Sequence, residues 1–167
     1  MENFKNLGLC KALNVSLDKI GFKKPTPIQA QAIPLILNGN DLLGSASTGT
    51  GKTGAFAIPV IDKIISSAGD CALIVTPTRE LAKQVINVVR DLLGSSNSVK
   101  ACCLIGGEAI GKQLNQLKRK PRIIIGTPGR INDHLEKKSL SLKKTNYLVL
   151  DEADRMLDMG FGIQIDQ

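Results

Sequence analysis

Short β-branched and aliphatic runs alternate with longer segments of helical period along most of this chain, and that alternation constrains the fold more than any other feature. Strands are expected over 42–46, 72–75, 100–105, 123–126 and 147–151, with helices over 52–66, 79–93, 108–117 and 129–137. In 79–93, Leu81, Val85, Val88 and Leu92 recur at helical spacing and make one apolar face. Strands that are apolar almost throughout and separated by helices belong to a parallel sheet covered on both faces. Ahead of it, 9–20 and 27–37 read as two more helices. Thr26-Pro27 supplies a cap followed by proline at the first helical position, Gly39 closes that helix, and Pro34 inside it predicts a kink. With 167 residues and no internal repeat or low-complexity linker, the chain reads as one α/β domain.

Composition narrows the setting. Hydrophobic residues at 43% and charged residues at 22% are ordinary for a globular domain. No apolar run approaches the roughly 18 residues that a bilayer span needs. The opening Met1-Glu2-Asn3-Phe4-Lys5-Asn6 lacks the basic-then-apolar plan of a signal peptide, so a cytoplasmic protein with no membrane partner is expected. Cys10, Cys71, Cys102 and Cys103 show no Cys-x-x-Cys spacing and no nearby histidine. Cys102 and Cys103 are adjacent in a strand and therefore point to opposite faces, which suits small core residues in a reducing compartment. The single histidine, His134, falls in a polar helical stretch and is expected at the surface.

The net charge of +7 is unevenly spread. Residues 112–144 hold ten Lys/Arg against Asp133 and Glu136, so 10 − 2 = +8 there and −1 elsewhere. Such a block is either a solvated face or a surface for a polyanion, and the sequence leaves both open. Aromatic residues are few and Trp is absent, so stacking bases on aromatic platforms is a poor fit. Any nucleic acid would be held by its sugar-phosphate backbone with little reading of sequence.

Ala46-Ser47-Thr48-Gly49-Thr50-Gly51-Lys52-Thr53 follows an expected strand and opens an expected helix, the context that a phosphate-binding loop requires. Glycines let backbone N–H groups turn inward, and the helix N-terminus favours an anion. Lys52 is placed to reach the β- and γ-phosphates and the Thr53 hydroxyl to bind Mg²⁺. Leu148-Val149-Leu150-Asp151-Glu152 is the matching counterpart, an apolar strand ending in two carboxylates. Asp151 can hold Mg²⁺ through water, and Glu152 can polarise the attacking water.

With Asp151-Glu152-Ala153-Asp154 the chain resembles the DEAD-box family of RNA helicases, and further motifs stand in the family's order. Gly21-Phe22-Lys23-Lys24-Pro25-Thr26-Pro27-Ile28-Gln29 is similar to its adenine-reading motif, with Phe4 as the upstream aromatic. Pro77-Thr78-Arg79-Glu80-Leu81-Ala82-Lys83-Gln84, the pair Gly106-Gly107 and Thr127-Pro128-Gly129-Arg130 are similar to its RNA-backbone motifs. Asp154-Arg155-Met156-Leu157-Asp158-Met159-Gly160-Phe161 continues the pattern, and the family shares Ala46 at the start of the phosphate loop.

The resemblance implies a RecA-like parallel sheet with helices on both faces, preceded by a helical segment over 1–39 that carries the adenine motif. It implies ATP and Mg²⁺ as cofactors and RNA as partner. Gln29 and Phe22 would read adenine: the glutamine carboxamide has both a donor and an acceptor for its edge, and the ring offers stacking. Lys52, Asp151 and Glu152 would form the catalytic set, Asp154 would couple motifs to one another, and Thr78, Arg79, Gly106, Gly107, Thr127, Gly129 and Arg130 would contact RNA. Each of these RNA residues also fits an ordinary turn or capping role, but all follow strand C-termini, the edge where α/β sheets bind ligands.

In the family the pattern continues past Gln167 to a Ser-Ala-Thr strand and a second RecA-like domain that supplies arginines to the phosphoryl group. Over 40–167 the core is therefore expected to be an incomplete first domain, with little ATP turnover of its own. Two functions follow: a piece of an ATP-dependent RNA helicase, or a short non-enzymatic module that binds nucleotide and RNA. A GTPase is disfavoured, because no Asn-Lys-x-Asp segment occurs.

Overall fold

The computed structural model describes residues 9, 13, 16, 17, 29, 33, 52–67, 69–94, 99–141, 143 and 145–150. The elements are α1 (Lys52–Ser66), β1 (Cys71–Val75), α2 (Arg79–Leu93), β2 (Ala101–Leu104), α3 (Ile110–Lys118), β3 (Ile123–Gly126), α4 (Pro128–Glu136) and β4 (Thr145–Leu150). The expected strand over 42–46, the Pro34 kink and the bounds of the two leading helices lie outside the described residues. The chain divides into two compact units, Met1–Ala68 with Val88–Ser98, and Gly69–Asn87 with Val99–Gln167.

In the first unit Leu13, Ser16, Leu17, Gln29 and Ile33 are helical and buried, as the two leading helices require. α1 buries Ala55, Ala57, Ile58, Val60, Ile61 and Ile64, and it runs through Pro59, which has no N–H for the helical ladder.

The second unit holds a parallel four-stranded sheet in the order β2-β3-β1-β4. Ile-, Leu- and Cys-rich strands of four or five residues suit such a sheet, and β1, β2 and β3 are buried on both faces along most of their length. On one face Leu73, Val75, Cys102 and Leu104 cluster with Ile131 and Leu140, and Leu117 of α3 and Leu135 of α4 pack against them. Residues of the other face, Ala72, Ile74, Cys103, Ile123 and Ile125, are also buried. Cys102 and Cys103 thus fill opposite faces, as their adjacency predicted.

α2 spans the expected range, but its buried face is wider than the stripe read from sequence. Ala82, Val85, Ile86, Val89, Leu92 and Leu93 are buried, while Leu81 and Val88 sit half-buried along one margin. α4 begins at Pro128 rather than Gly129, because Thr127 takes the cap position and Pro128 the first turn. β4 begins earlier than expected, at a bulge: Cys71 pairs with Thr145 and Ala72 with Tyr147, which skips Asn146. The Cys71 N–H donates to Asn146 Oδ1 at 3.2 Å, so the side chain replaces the missing ladder bond. β4 is an edge strand among the described residues, and Leu148 on it is 59% exposed, in contrast to the buried strand that its apolar run suggests.

Candidate nucleic-acid interface

In a parallel sheet every strand delivers its C-terminus to the same edge, so the loops after β1, β2 and β3 gather there with Thr78, Arg79, Gly106, Gly107, Thr127, Gly129 and Arg130. The loop after β1 is built by its threonines. Thr76 Oγ1 donates to the Thr78 carbonyl at 3.3 Å, and Thr78 Oγ1 accepts from the Leu81 N–H at 3.2 Å as the cap of α2. Capping uses an acceptor of Thr78 and leaves its O–H hydrogen unused by the cap. Thr127 caps α4 by backbone only, with φ −93 and ψ 151, and its hydroxyl makes no cap bond.

Arg79 joins the first two loops: its Nη1 donates to the Gly106 carbonyl at 3.5 Å. Gly107 has φ +81, a left-handed conformation that favours glycine, and the Arg79 guanidinium occupies the space a Cβ would need. A Cβ on Gly106 or Gly129 would meet nothing within 4 Å. No contact within the described protein demands glycine at either place, and both leave room for another molecule's backbone. Gly126, at the end of β3, differs: a Cβ there would lie 2.5 Å from the Leu104 carbonyl oxygen and 3.0 Å from Ile131.

Behind the loops lies a buried polar network. Gln113 Nε2 donates to the Ile105 carbonyl at 2.8 Å, and Gln113 Oε1 accepts from Arg130 Nη1 at 3.2 Å. Arg130 Nη1 also donates to the Glu108 carbonyl at 3.2 Å, and Arg130 Nε lies 3.5 Å from the Asp133 carboxylate. His134 closes the network, with Nε2 2.8 Å from Gln113 Oε1 and Nδ1 2.9 Å from Ser139 Oγ.

His134 is therefore not the surface residue expected from its polar neighbours: it is fully buried. One turn beyond Arg130, it faces Gln113 rather than solvent. Burial pushes its pKa down, and the Arg130 cation nearby acts in the same direction. Gln113, also fully buried, was not singled out in the sequence. A signal existed, since Gln113 interrupts the apolar stripe Ile110, Leu114, Leu117 on its helix, but one chain alone does not separate such a residue from a partly solvated glutamine.

For the nucleotide motifs the described residues give less. Gln29 is buried and helical, and a side chain added at Gly54 would collide with its Nε2, so the glutamine rests on the first turn of α1. The backbone of Lys52 and Thr53 begins α1, directly after the glycine-rich segment, but their side chains lie outside the described residues. Phe22, Ala46, Ser47, Thr48, Gly49, Thr50, Gly51, Asp151, Glu152 and Asp154 also lie outside them. β4 ends at Leu150, immediately before Asp151. Among the described residues no group of His, Cys, Asp and Glu could hold a metal ion, and no helix is long and apolar enough to cross a membrane.

Comparison with known proteins agrees with this arrangement. Residues 26–167 match the model of the DEAD/DEAH box helicase family. The chain is 48% identical, over 99% of its length, to the ATP-dependent rRNA helicase RRP3 of Candida albicans, of which it covers 31%. A solved DEAD box protein from the hyperthermophile Methanococcus jannaschii superposes with a TM-score of 0.90 at 44% identity, over 98% of this chain and 45% of that one. The chain thus spans about a third of the curated relative and under half of the solved one. Its parallel sheet and helices form the RecA-like fold, and the chain belongs to the DEAD/DEAH box helicase family.

Proposed function

We propose that these residues are the nucleotide-binding, RNA-gripping first RecA-like unit of an ATP-dependent RNA helicase, in which ATP hydrolysis drives the opening of RNA duplexes. The observation that carries this reading is the convergence of the loops after β1, β2 and β3 on one sheet edge, where Thr78, Arg79, Thr127 and Arg130 bring donor groups together. Unfilled space beside Gly106 and Gly129 suits a closely approaching sugar-phosphate backbone. The name of the Candida albicans relative supports RNA as the polymer and makes ribosomal RNA the first substrate to try. Cys102 and Cys103 are small residues buried in the sheet, and on this reading the protein works in the cytoplasm.

On the nucleotide side the donor set suits ATP with Mg²⁺. Gln29 and Phe22 would read adenine, the segment Ala46–Gly51 would cradle phosphate with backbone N–H groups, and Lys52 would reach the β- and γ-phosphates. Thr53 and, through water, Asp151 would hold Mg²⁺, which when bound neutralises developing phosphate charge. Glu152 would orient and deprotonate the attacking water, and Asp154 would link this site to neighbouring motifs. An arginine finger is worth about 10³–10⁵ in turnover in phosphate-loop enzymes, and on this reading it comes from a second RecA-like domain.

The test compares ATP turnover, with and without single-stranded RNA, for residues 1–167 alone and for the same residues followed by a second RecA-like domain. RNA-stimulated turnover is expected only from the longer protein, and Glu152→Gln should cut it by about 10²–10⁴. ATP should be preferred to GTP, with Gln29→Ala eroding the preference. Equal use of ATP and GTP, or turnover indifferent to RNA, contradicts the reading.

A further inference from the structure

We propose that Gln113 is a positioning residue for RNA binding: its one carboxamide, buried behind the loops, fixes Arg130 and the Gly106–Gly107 turn in a single geometry. The inference rests on the RNA reading of the preceding section.

The orientation of the carboxamide follows from its neighbours. The Ile105 carbonyl only accepts, so the amide nitrogen faces it at 2.8 Å. The Arg130 guanidinium only donates, so Gln113 Oε1 faces Nη1 at 3.2 Å. His134 Nε2, 2.8 Å from that same oxygen, must then carry its proton. In the neutral ring Nδ1 is left to accept from Ser139 Oγ at 2.9 Å. Both lone pairs of Gln113 Oε1 are used, and at the far end the single Ser139 hydroxyl proton is shared between His134 Nδ1 and the His134 carbonyl 3.1 Å away. A glutamine turned the other way would oppose oxygen to oxygen at Ile105 and N–H to N–H at Arg130.

Holding α3 on the sheet does not call for this arrangement. The same helix already packs by Leu117 on the apolar cluster. A buried polar network is costly unless every group is satisfied, and its contribution is geometric definition rather than net stability. Its outward product is a pinned arginine. Arg130 is 16% exposed, tied at Nη1 and Nε, and Nη2 has no bond to any described residue. An arginine side chain loses rotamer entropy when it is held, and one already ordered loses little more on meeting a phosphate. Through the Ile105 carbonyl, the same carboxamide sets where the chain enters the Gly106–Gly107 turn that Arg79 grips from the other side.

The experiment is a double-mutant cycle read as affinity for a labelled single-stranded oligouridylate, with thermal melting as the check on folding. Arg130→Ala is expected to weaken binding about tenfold and Gln113→Met about fivefold. Because Gln113 acts mainly through Arg130 and only secondarily through the Gly106–Gly107 turn, the double substitution should be weaker than Arg130→Ala alone by no more than about twofold. A purely structural glutamine would leave RNA affinity intact once the protein is folded. Should Gln113→Met fail to melt cooperatively, Gln113→Leu, which also lacks the acceptor for Arg130, goes through the same cycle and must show the same non-additivity. Wild-type affinity in a folded Gln113 variant, or effects that multiply in the double variant, overturns the proposal while leaving the RNA reading standing. An Arg130→Ala protein that binds like the unsubstituted one overturns both.

Discussion

The two ends of the parallel sheet carry charge in opposite styles. At the C-terminal end stand two arginines, both tied: Arg79 to the Gly106 carbonyl, Arg130 to Gln113, Glu108 and Asp133. At the N-terminal end Lys100, Lys118, Arg119, Lys120, Lys137, Lys138 and Lys143 are exposed, with no ion pair among the described residues. Most of the basic block read from the sequence lies at this second end, because α3 and α4 run back from the loops before releasing their lysines. The contrast teaches that net charge and binding geometry are separate properties. Exposed lysines raise the general attraction for a polyanion, whereas ordered donors beside open glycines hold a backbone in register.

The largest expected effect separates the two ends directly. Arg130→Ala should weaken single-stranded RNA binding about tenfold or more on all sequences alike. Replacing Lys118, Arg119 and Lys120 together by alanine should cost less than about threefold, despite removing three charges. It should also flatten the dependence on salt only slightly. Titration of the variants by fluorescence anisotropy at two salt concentrations checks both, and a larger loss from the lysine cluster would reverse the comparison.

A second contrast, between two glycines three residues apart, sharpens the C-terminal edge. Gly126→Ala drives a Cβ into the Leu104 carbonyl and should cost about 1–3 kcal/mol, seen as a lower melting midpoint. Gly129→Ala meets open space on the first turn of α4, so melting should be unchanged or slightly raised. Its RNA affinity should nevertheless fall severalfold, since the methyl fills the room left for the ligand. Stability lost at Gly129, with affinity kept, would mean that the glycine serves the fold.

The smallest effect is in pH. The His134 pKa lies below its ordinary value of 6.5, chiefly through burial and then through Arg130. Above that value the ring is neutral in both folded and unfolded chains. As pH falls below it the unfolded chain binds a proton that the folded protein resists, so stability declines towards the folded pKa. Between about pH 7.5 and 5.5 the melting midpoint should drop more for the unsubstituted protein than for His134→Gln, measured by calorimetry; identical slopes would place the ring in water.

Much of this architecture is legible in the sequence, because the hydrophobic period switches between helix and strand at Gly, Thr and Pro signals that the fold uses. α1, α2 and β3 occupy their expected ranges. The Thr127-Pro128 cap carries the same signature as Thr26-Pro27, yet the shift of α4 by one residue went unread because both glycine and proline there suit a helix start. The Asn146 bulge has no local signature for a different reason: a bulge bond from a side chain depends on the partner strand, which no local pattern contains. The same holds for Gln113 and His134. The polar neighbours of His134 point to solvent, and only the meeting of α3 with α4 turns it and Gln113 into each other's partner. The loops at the C-terminal edge of the sheet were legible as motifs, but not that Arg130 is anchored and the lysines are elsewhere.

The most direct test of the central claim is to find which end of the sheet touches RNA. A single-stranded oligonucleotide containing 4-thiouridine is crosslinked to the protein under ultraviolet light, and the attachment sites are mapped by peptide mass spectrometry. Crosslinks are expected in the loops at residues 76–79, 105–109 and 127–130, and they should vanish with excess unlabelled RNA. Crosslinks concentrated at 118–122 and 137–143, with the three loops unmodified, would contradict the account.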